Sequence, residues 1–129
     1  MKQKIICAVL CFFSVFAMMT PRVSASDGDL EILACAIEAV AEGESYTVMA
    51  SVGAVLVNRL KNESFPASLA AVISDAGIDI SGSFPSPRAR RAAGDALSGF
   101  DPTSGALEYT KVPKEDDHLL LSADGWCFY

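Results

Sequence analysis

The chain has 129 residues, a hydrophobic fraction of 51% and a formal net charge of −6. That length supports one modest core and not two, and the acidic balance excludes the electrostatic footprint needed for nucleic acid or an anionic membrane surface. A single histidine, His118, and the lack of any Cys-x-x-Cys or His-x-x-x-His spacing leave no expectation of a metal, and no organic cofactor is implied.

Lys2 and Lys4 precede an apolar run from Ile5 to Met19 and then Val23-Ser24-Ala25, the layout of a secretory signal peptide. The run is too short to span a bilayer comfortably, and Leu10 ahead of Cys11 argues against lipoprotein processing. The expectation is a signal over residues 1–25 and one exported domain over 26–129 with no stable membrane span; an uncleaved anchor is the alternative. Cleavage removes Lys2, Lys4 and Arg22 and no acidic residue, taking the net charge from −6 to −9. Cys7 and Cys11 leave as well, so Cys35 and Cys127 remain. In an oxidising compartment they could form one disulfide, stabilising by roughly 4–5 kcal/mol in the chain-entropy model, or stay as two buried thiols.

Ser26-Asp27-Gly28-Asp29 supplies capping residues, and Leu30, Leu33, Ala34, Ile37 and Ala41 follow at helical spacing, predicting a first helix that ends near Gly43. Thr47 can cap a second helix carrying Val48, Val52, Val55 and Leu56, with Ala50, Gly53 and Ala54 as small residues that permit close approach. Phe65-Pro66 breaks the chain before a short apolar helix over Ala67 to Ala76. Residues 77–87 carry turn signals. Ser86 as cap and Pro87 at the first position open a fourth helix that Gly99 ends. Beyond it, Ala106–Lys111 and Trp126–Tyr129 are the only plausible strands. The fold class is therefore mainly α (α+β), one small domain of about four helices with a minor antiparallel β element at its C-terminal end.

The stretch "AIEAVAEGESY" places Glu38, Glu42 and Glu44 near a helix end. In an exported protein such carboxyl groups suit glycoside chemistry, which uses them as general acid and base, although glutamates at a helix end are commonly solvated surface. Nucleophilic catalysis is poorly supported, since His118 sits in a charged loop and no Gly-x-Ser-x-Gly elbow exists. Arg88, Arg90 and Arg91 form the one basic cluster beyond the signal, suited either to a carboxylate partner or to solvent. Tyr109, Trp126, Phe128 and Tyr129 could stack on sugar rings or belong to the core.

Several blocks together, "AEGESY", "VGAVLVNRL", "FPASLAAVI", "RRAAGDALSGFDPTSGALEY" and the terminal "CFY", resemble the bacterial cell-wall hydrolases typified by the spore cortex-lytic enzymes. The resemblance covers nearly all of the chain after residue 25, and the order of the blocks is more specific than any one of them. It implies a lysozyme-like helical domain that cleaves the glycan strands of peptidoglycan, in many members as a lytic transglycosylase, at the cell wall or spore cortex, alone or with an accessory wall or spore protein. One glutamate suffices for that reaction, protonating the glycosidic oxygen and then acting as base while the substrate's own hydroxyl closes an anhydro ring.

The family usually reads Ala-Glu-Ala-x-Gly-Glu at this helix end. Aligned on Gly43-Glu44, the first glutamate, taken as the acid, is Val40 here. Trp126 stands where the family tends to have histidine, and the loop between Gly77 and Arg90 is shorter than usual. At about 100° per residue, Glu38 and Glu42 point away from position 40, so Glu44 is the best residual acid. Tyr46, Arg90, Tyr109 and Trp126 are the candidate substrate contacts, with Asn58 and Arg59 supporting the groove. Two readings follow: a glycan-strand hydrolase or lytic transglycosylase with a relocated acid, or a catalytically degenerate member that binds peptidoglycan or regulates an active hydrolase.

Overall fold

A computed structural model describes residues 27–115 and 118–129; the expected signal segment lies outside the described residues. Helix α1 spans Asp27–Ala41, with Asp27 and Asp29 in its first turn where the helix dipole favours negative charge. It buries Leu33, Ala34, Ile37 and Ala41, the stripe its sequence periodicity predicts. Gly43, at φ +74°, turns the chain out of the helix in the left-handed conformation glycine adopts at least cost.

Helix α2 spans Tyr46–Lys61 and is the central element, buried without interruption from Val48 to Val57. Its cap is Ser45, whose hydroxyl accepts from Val48 N at 3.3 Å, two residues earlier than the expected Thr47. Helix α3, Leu69–Asp75, begins after the capping Ser68 and is shorter than the apolar run Ala67 to Ala76. Helix α4, Pro87–Leu97, starts as expected from Ser86 and Pro87 and buries Ala89, Ala92, Ala93 and Ala96.

Small residues set how closely these helices approach. A Cβ on Gly53 would lie 2.9 Å from Ile37 Cδ1 and 3.2 Å from Ala96 Cβ, so α2 packs there against both α1 and α4. Gly53→Ala gains about 1 kcal/mol of helix propensity but overpacks the junction at a cost of about 1–3 kcal/mol. The net loss of about 0–2 kcal/mol lowers the melting temperature by roughly 4–8 °C for each kcal/mol lost, read by calorimetry; a raised value would contradict this packing.

The C-terminal part holds three short antiparallel strands in the order β1-β3-β2: β1 Tyr109–Thr110, β2 Leu121–Ala123 and β3 Trp126–Phe128. Strand β2 corrects the expectation of two. It pairs Leu121 with Phe128 and Ala123 with Trp126 across a two-residue turn of Asp124 and Gly125, both at positive φ. That is a hairpin geometry for which Asp-Gly is favoured. Phe128 and Trp126 join the helical core, while Cys127 alternates to the other face of the strand.

That alternation also decides the cysteine question. Both thiols are free: Cys35 Sγ lies 3.7 Å from the Ser83 carbonyl against the 77–87 loop, whereas Cys127 sits in β3 between Thr110 and Ser122. The disulfide considered for Cys35 and Cys127 is absent because each thiol is packed in a different part of the fold. Among the described residues no helix is long and apolar enough to cross a membrane.

Candidate functional site

The turn from α1 into α2 meets the β2–β3 hairpin. Ser45 Oγ donates to Asp124 Oδ2 at 2.5 Å, so the residue that caps α2 also clamps the hairpin turn. The Glu44 carboxylate pairs with Lys111 Nζ at 3.4 Å, and the same ammonium sits 5.0 Å from the centroid of the Trp126 ring. From the other side, Arg88 Nη2 donates to the Glu44 main-chain carbonyl at 3.3 Å. Glu44 is thus brought to the junction of helix, hairpin and α4, with its side chain about one-quarter exposed.

The remaining acid candidates separate cleanly. Glu38 Oε2 accepts from both Ser86 N at 3.2 Å and Ser86 Oγ at 2.8 Å, which places it on the start of α4 as a structural partner. Glu42 is exposed beyond the last turn of α1. Val40 is partly buried, packed against the hydrophobic core.

The aromatic candidates form a wall. Tyr109 tilts against Trp126 with ring centroids 5.9 Å apart, and Trp126 stacks towards Phe128. Arg59 braces the wall: its Nε donates to the Leu107 carbonyl at 2.7 Å and its guanidinium lies over both Phe65 and Tyr109. Burial raises the Tyr109 hydroxyl above its ordinary pKa, with Arg59 opposing the shift. Trp126 is only 5% exposed and Lys111 covers it, so it is a floor beneath the lysine and not an open platform for a sugar ring. Its Nε1–H is the buried side-chain polar group without a hydrogen-bond partner among the described residues.

Tyr46 opens α2 and points at α4. Its hydroxyl hydrogen-bonds the Asp95 carboxylate, and Arg91 lies over its ring at 5.3 Å. Burial, together with the hydrogen bond and charge of Asp95, raises the Tyr46 pKa, while Arg91 works the other way. Arg90 instead pairs with Glu31 of α1 at 3.1 Å on an exposed face, so the structure separates it from the Glu44 turn and places its neighbours Arg88 and Arg91 there. Lys111, Ser45 and Asp124 were not singled out from sequence; of these only the Asp124-Gly125 hairpin signal could have pointed to its place.

Two open concavities lie elsewhere. One of about 420 Å³ is lined by Ile73, Ile78, Asp79 and Ile80, and another of about 350 Å³ by Leu60, Glu63 and Phe65. Neither contains Glu44, Val40 or Trp126. No cluster of histidine, cysteine and carboxylate groups suited to a metal occurs among the described residues.

The profile of the Cell Wall Hydrolase family matches residues 43–124, and the chain belongs to that family. The spore cortex-lytic enzyme of Halalkalibacterium halodurans is 38% identical over 93 residues, covering 65% of this chain and 27% of that protein. Its counterpart in Oceanobacillus iheyensis is 34% identical over 103 residues, covering 70% and 36%. The chain therefore spans about a third of the length of these relatives. The catalytic domain of the Bacillus cereus SleB protein superposes with a TM-score of 0.68 at 24% identity, over 83% of this chain and 93% of that one. The catalytic domain of the germination-specific lytic transglycosylase SleB from Bacillus anthracis gives 0.66 at 26% identity, over 84% and 98%. The expected lysozyme-like helical fold with a minor C-terminal β element is thus the fold this chain has. Val40 lies three residues ahead of the matched segment.

Proposed function

We propose that this domain, exported to the cell wall or spore cortex, binds the glycan strands of peptidoglycan without cleaving them. The observation that carries the reading is Val40: the helix position taken for the general acid holds an aliphatic side chain packed against the core. Valine cannot donate a proton, and a positioned general acid contributes about 100- to 10,000-fold in rate. The nearby carboxylates are engaged in other contacts, Glu38 with Ser86 and Glu44 with Lys111. What remains is a braced surface of Tyr109, Arg59, Tyr46 and Lys111, which supports holding a strand more than breaking one.

One observation favours the alternative of an active enzyme: Glu44 sits at the helix–hairpin junction, where a strand lying along the surface would meet it. Cosedimentation with purified, protein-free peptidoglycan tests the proposal. The native chain and Glu44→Gln are expected to pellet equally with the wall, at micromolar affinity. A native chain that stays in the supernatant would contradict binding. Release of soluble fragments by the native chain but not by Glu44→Gln would establish the active alternative.

A further inference from the structure

Arg88 and Arg91 stand three residues apart on α4 and so share a face of the helix. Both are exposed, and both lean on the α1–α2 junction: Arg88 reaches the Glu44 carbonyl and Arg91 covers the Tyr46 ring. Lys111 reaches the Glu44 side chain of the same turn. Three cations of an acidic chain are therefore gathered around one turn. Arg90, Lys111 and Lys114 each have a carboxylate partner. Among the described residues neither Arg88 nor Arg91 is in such a pair; Asp95, four residues beyond Arg91 on the same helix, accepts from the Tyr46 hydroxyl. Arg88 also lies in the first turn of α4, which holds no acidic residue and where the helix dipole disfavours positive charge. An anion between the two guanidinium groups would relieve both conditions, and the forked guanidinium matches a carboxylate.

We infer that Arg88 and Arg91 form a carboxylate-binding subsite beside the Glu44 turn, taking a carboxylate of the wall polymer. It rests on the proposed binding of glycan strands. Two sources share this chemistry, the lactyl carboxylate of a bare muramyl residue and the free carboxylates of stem peptides. Glutamate-rich or phosphate-bearing wall components are a different class, removed by using acid-stripped, protein-free peptidoglycan.

The test measures binding of the native chain, the double variant Arg88→Ala/Arg91→Ala, the double variant Arg88→Lys/Arg91→Lys and Lys61→Ala to three ligands. These are intact peptidoglycan, the same material with its carboxylates amidated, and glycan strands freed of peptides. Circular dichroism and melting curves confirm that each variant is folded. Amidation is expected to weaken native binding about tenfold, the alanine pair to lose the same factor on intact wall and become insensitive to amidation, and the lysine pair to fall between. Lys61→Ala should match the native chain. Retained affinity for peptide-free strands assigns the lactyl carboxylate, and its loss assigns the stem peptide. Equal native binding to intact and amidated wall, or an alanine pair as sensitive to amidation as the native chain, would overturn the subsite while leaving strand binding in place. No native binding to any of the three would overturn strand binding itself.

Discussion

Val40→Glu is expected, on the proposal that this domain binds strands without cleaving them, to confer glycan cleavage, raising the rate by on the order of 100- to 10,000-fold, the usual contribution of a positioned general acid. The site is suited to the purpose. Position 40 lies in the last turns of α1, and its side chain packs against the core while remaining partly exposed. A carboxyl group placed there would be partly desolvated, which favours its protonated form and is the condition a general acid needs near neutral pH. The exchange costs about 1 kcal/mol or more of stability, since a polar group replaces a packed methyl pair. Val40→Gln provides the control: it has the same shape, cannot donate a carboxyl proton, and should remain silent. Muropeptide release by Val40→Glu and not by Val40→Gln is the expected result. Silence from both in folded protein would place the lesion in the groove and not only in the acid.

The second large effect concerns the loop that carries the chain from α4 to the strands. The Asp101 carboxylate accepts from Thr103 N at 2.8 Å, Thr103 Oγ1 at 2.5 Å, Gly105 N at 2.8 Å and Asn58 Nδ2 at 3.0 Å. Asn58 donates in addition to the Ala106 carbonyl, and the buried Thr103 hydroxyl accepts from Ala106 N. One carboxylate thereby ties the end of α2 to the segment that leads into β1. Asp101→Ala would leave several of these donors unpaired, at a cost of about 3 kcal/mol, or a fall in melting temperature of roughly 10–20 °C. A fall of only a few degrees would contradict the hub.

The same residue sets an acid dependence. Burial pushes the Asp101 pKa up, but the hydrogen bonds from Thr103, Asn58 and Gly105 outweigh it and hold the folded value below the ordinary 3.8. A lowered folded value means that this stabilisation is fully present above the ordinary value and is lost as pH falls through the folded one. Melting temperatures measured downward from pH 5 should therefore drop more steeply in the native chain than in Asp101→Asn, which has no carboxyl to protonate.

Much of the architecture was legible because the helices carry their own punctuation. Ser86 followed by Pro87 marked the start of α4, and the spacing of Leu33, Ala34, Ile37 and Ala41 marked the buried stripe of α1. The cap of α2 was misplaced because Ser45 and Thr47 are equally good capping types. The choice was made by the hairpin, since Ser45 can also reach Asp124. Strand β2 was missed because Leu121-Ser122-Ala123 has weak strand propensity; its pairing with β3 and the Asp124-Gly125 turn carries it.

The candidate site was legible in kind and not in its contacts. Val40 and Glu44 follow from the resemblance to the family's motif at this helix end, but Lys111 is 67 positions from Glu44 and reaches it only through the sheet. Likewise Arg88, Arg90 and Arg91 read as one cluster in sequence. Helical geometry splits them, Arg90 to Glu31 and the other two towards the Glu44 turn. Trp126 illustrates the limit of residue type: an indole in a short strand could face a ligand or the core, and the β3 alternation turns it inward.

The most direct test of the proposal that this domain binds glycan strands without cleaving them is mass spectrometry of the soluble products after the native chain is incubated to equilibrium with purified peptidoglycan and with spore cortex. Bound protein with intact strands, and neither anhydro-muramyl nor new reducing ends, is the predicted result. Anhydro-muramyl products from the native chain that disappear in Glu44→Gln would contradict it and make Glu44 the acid.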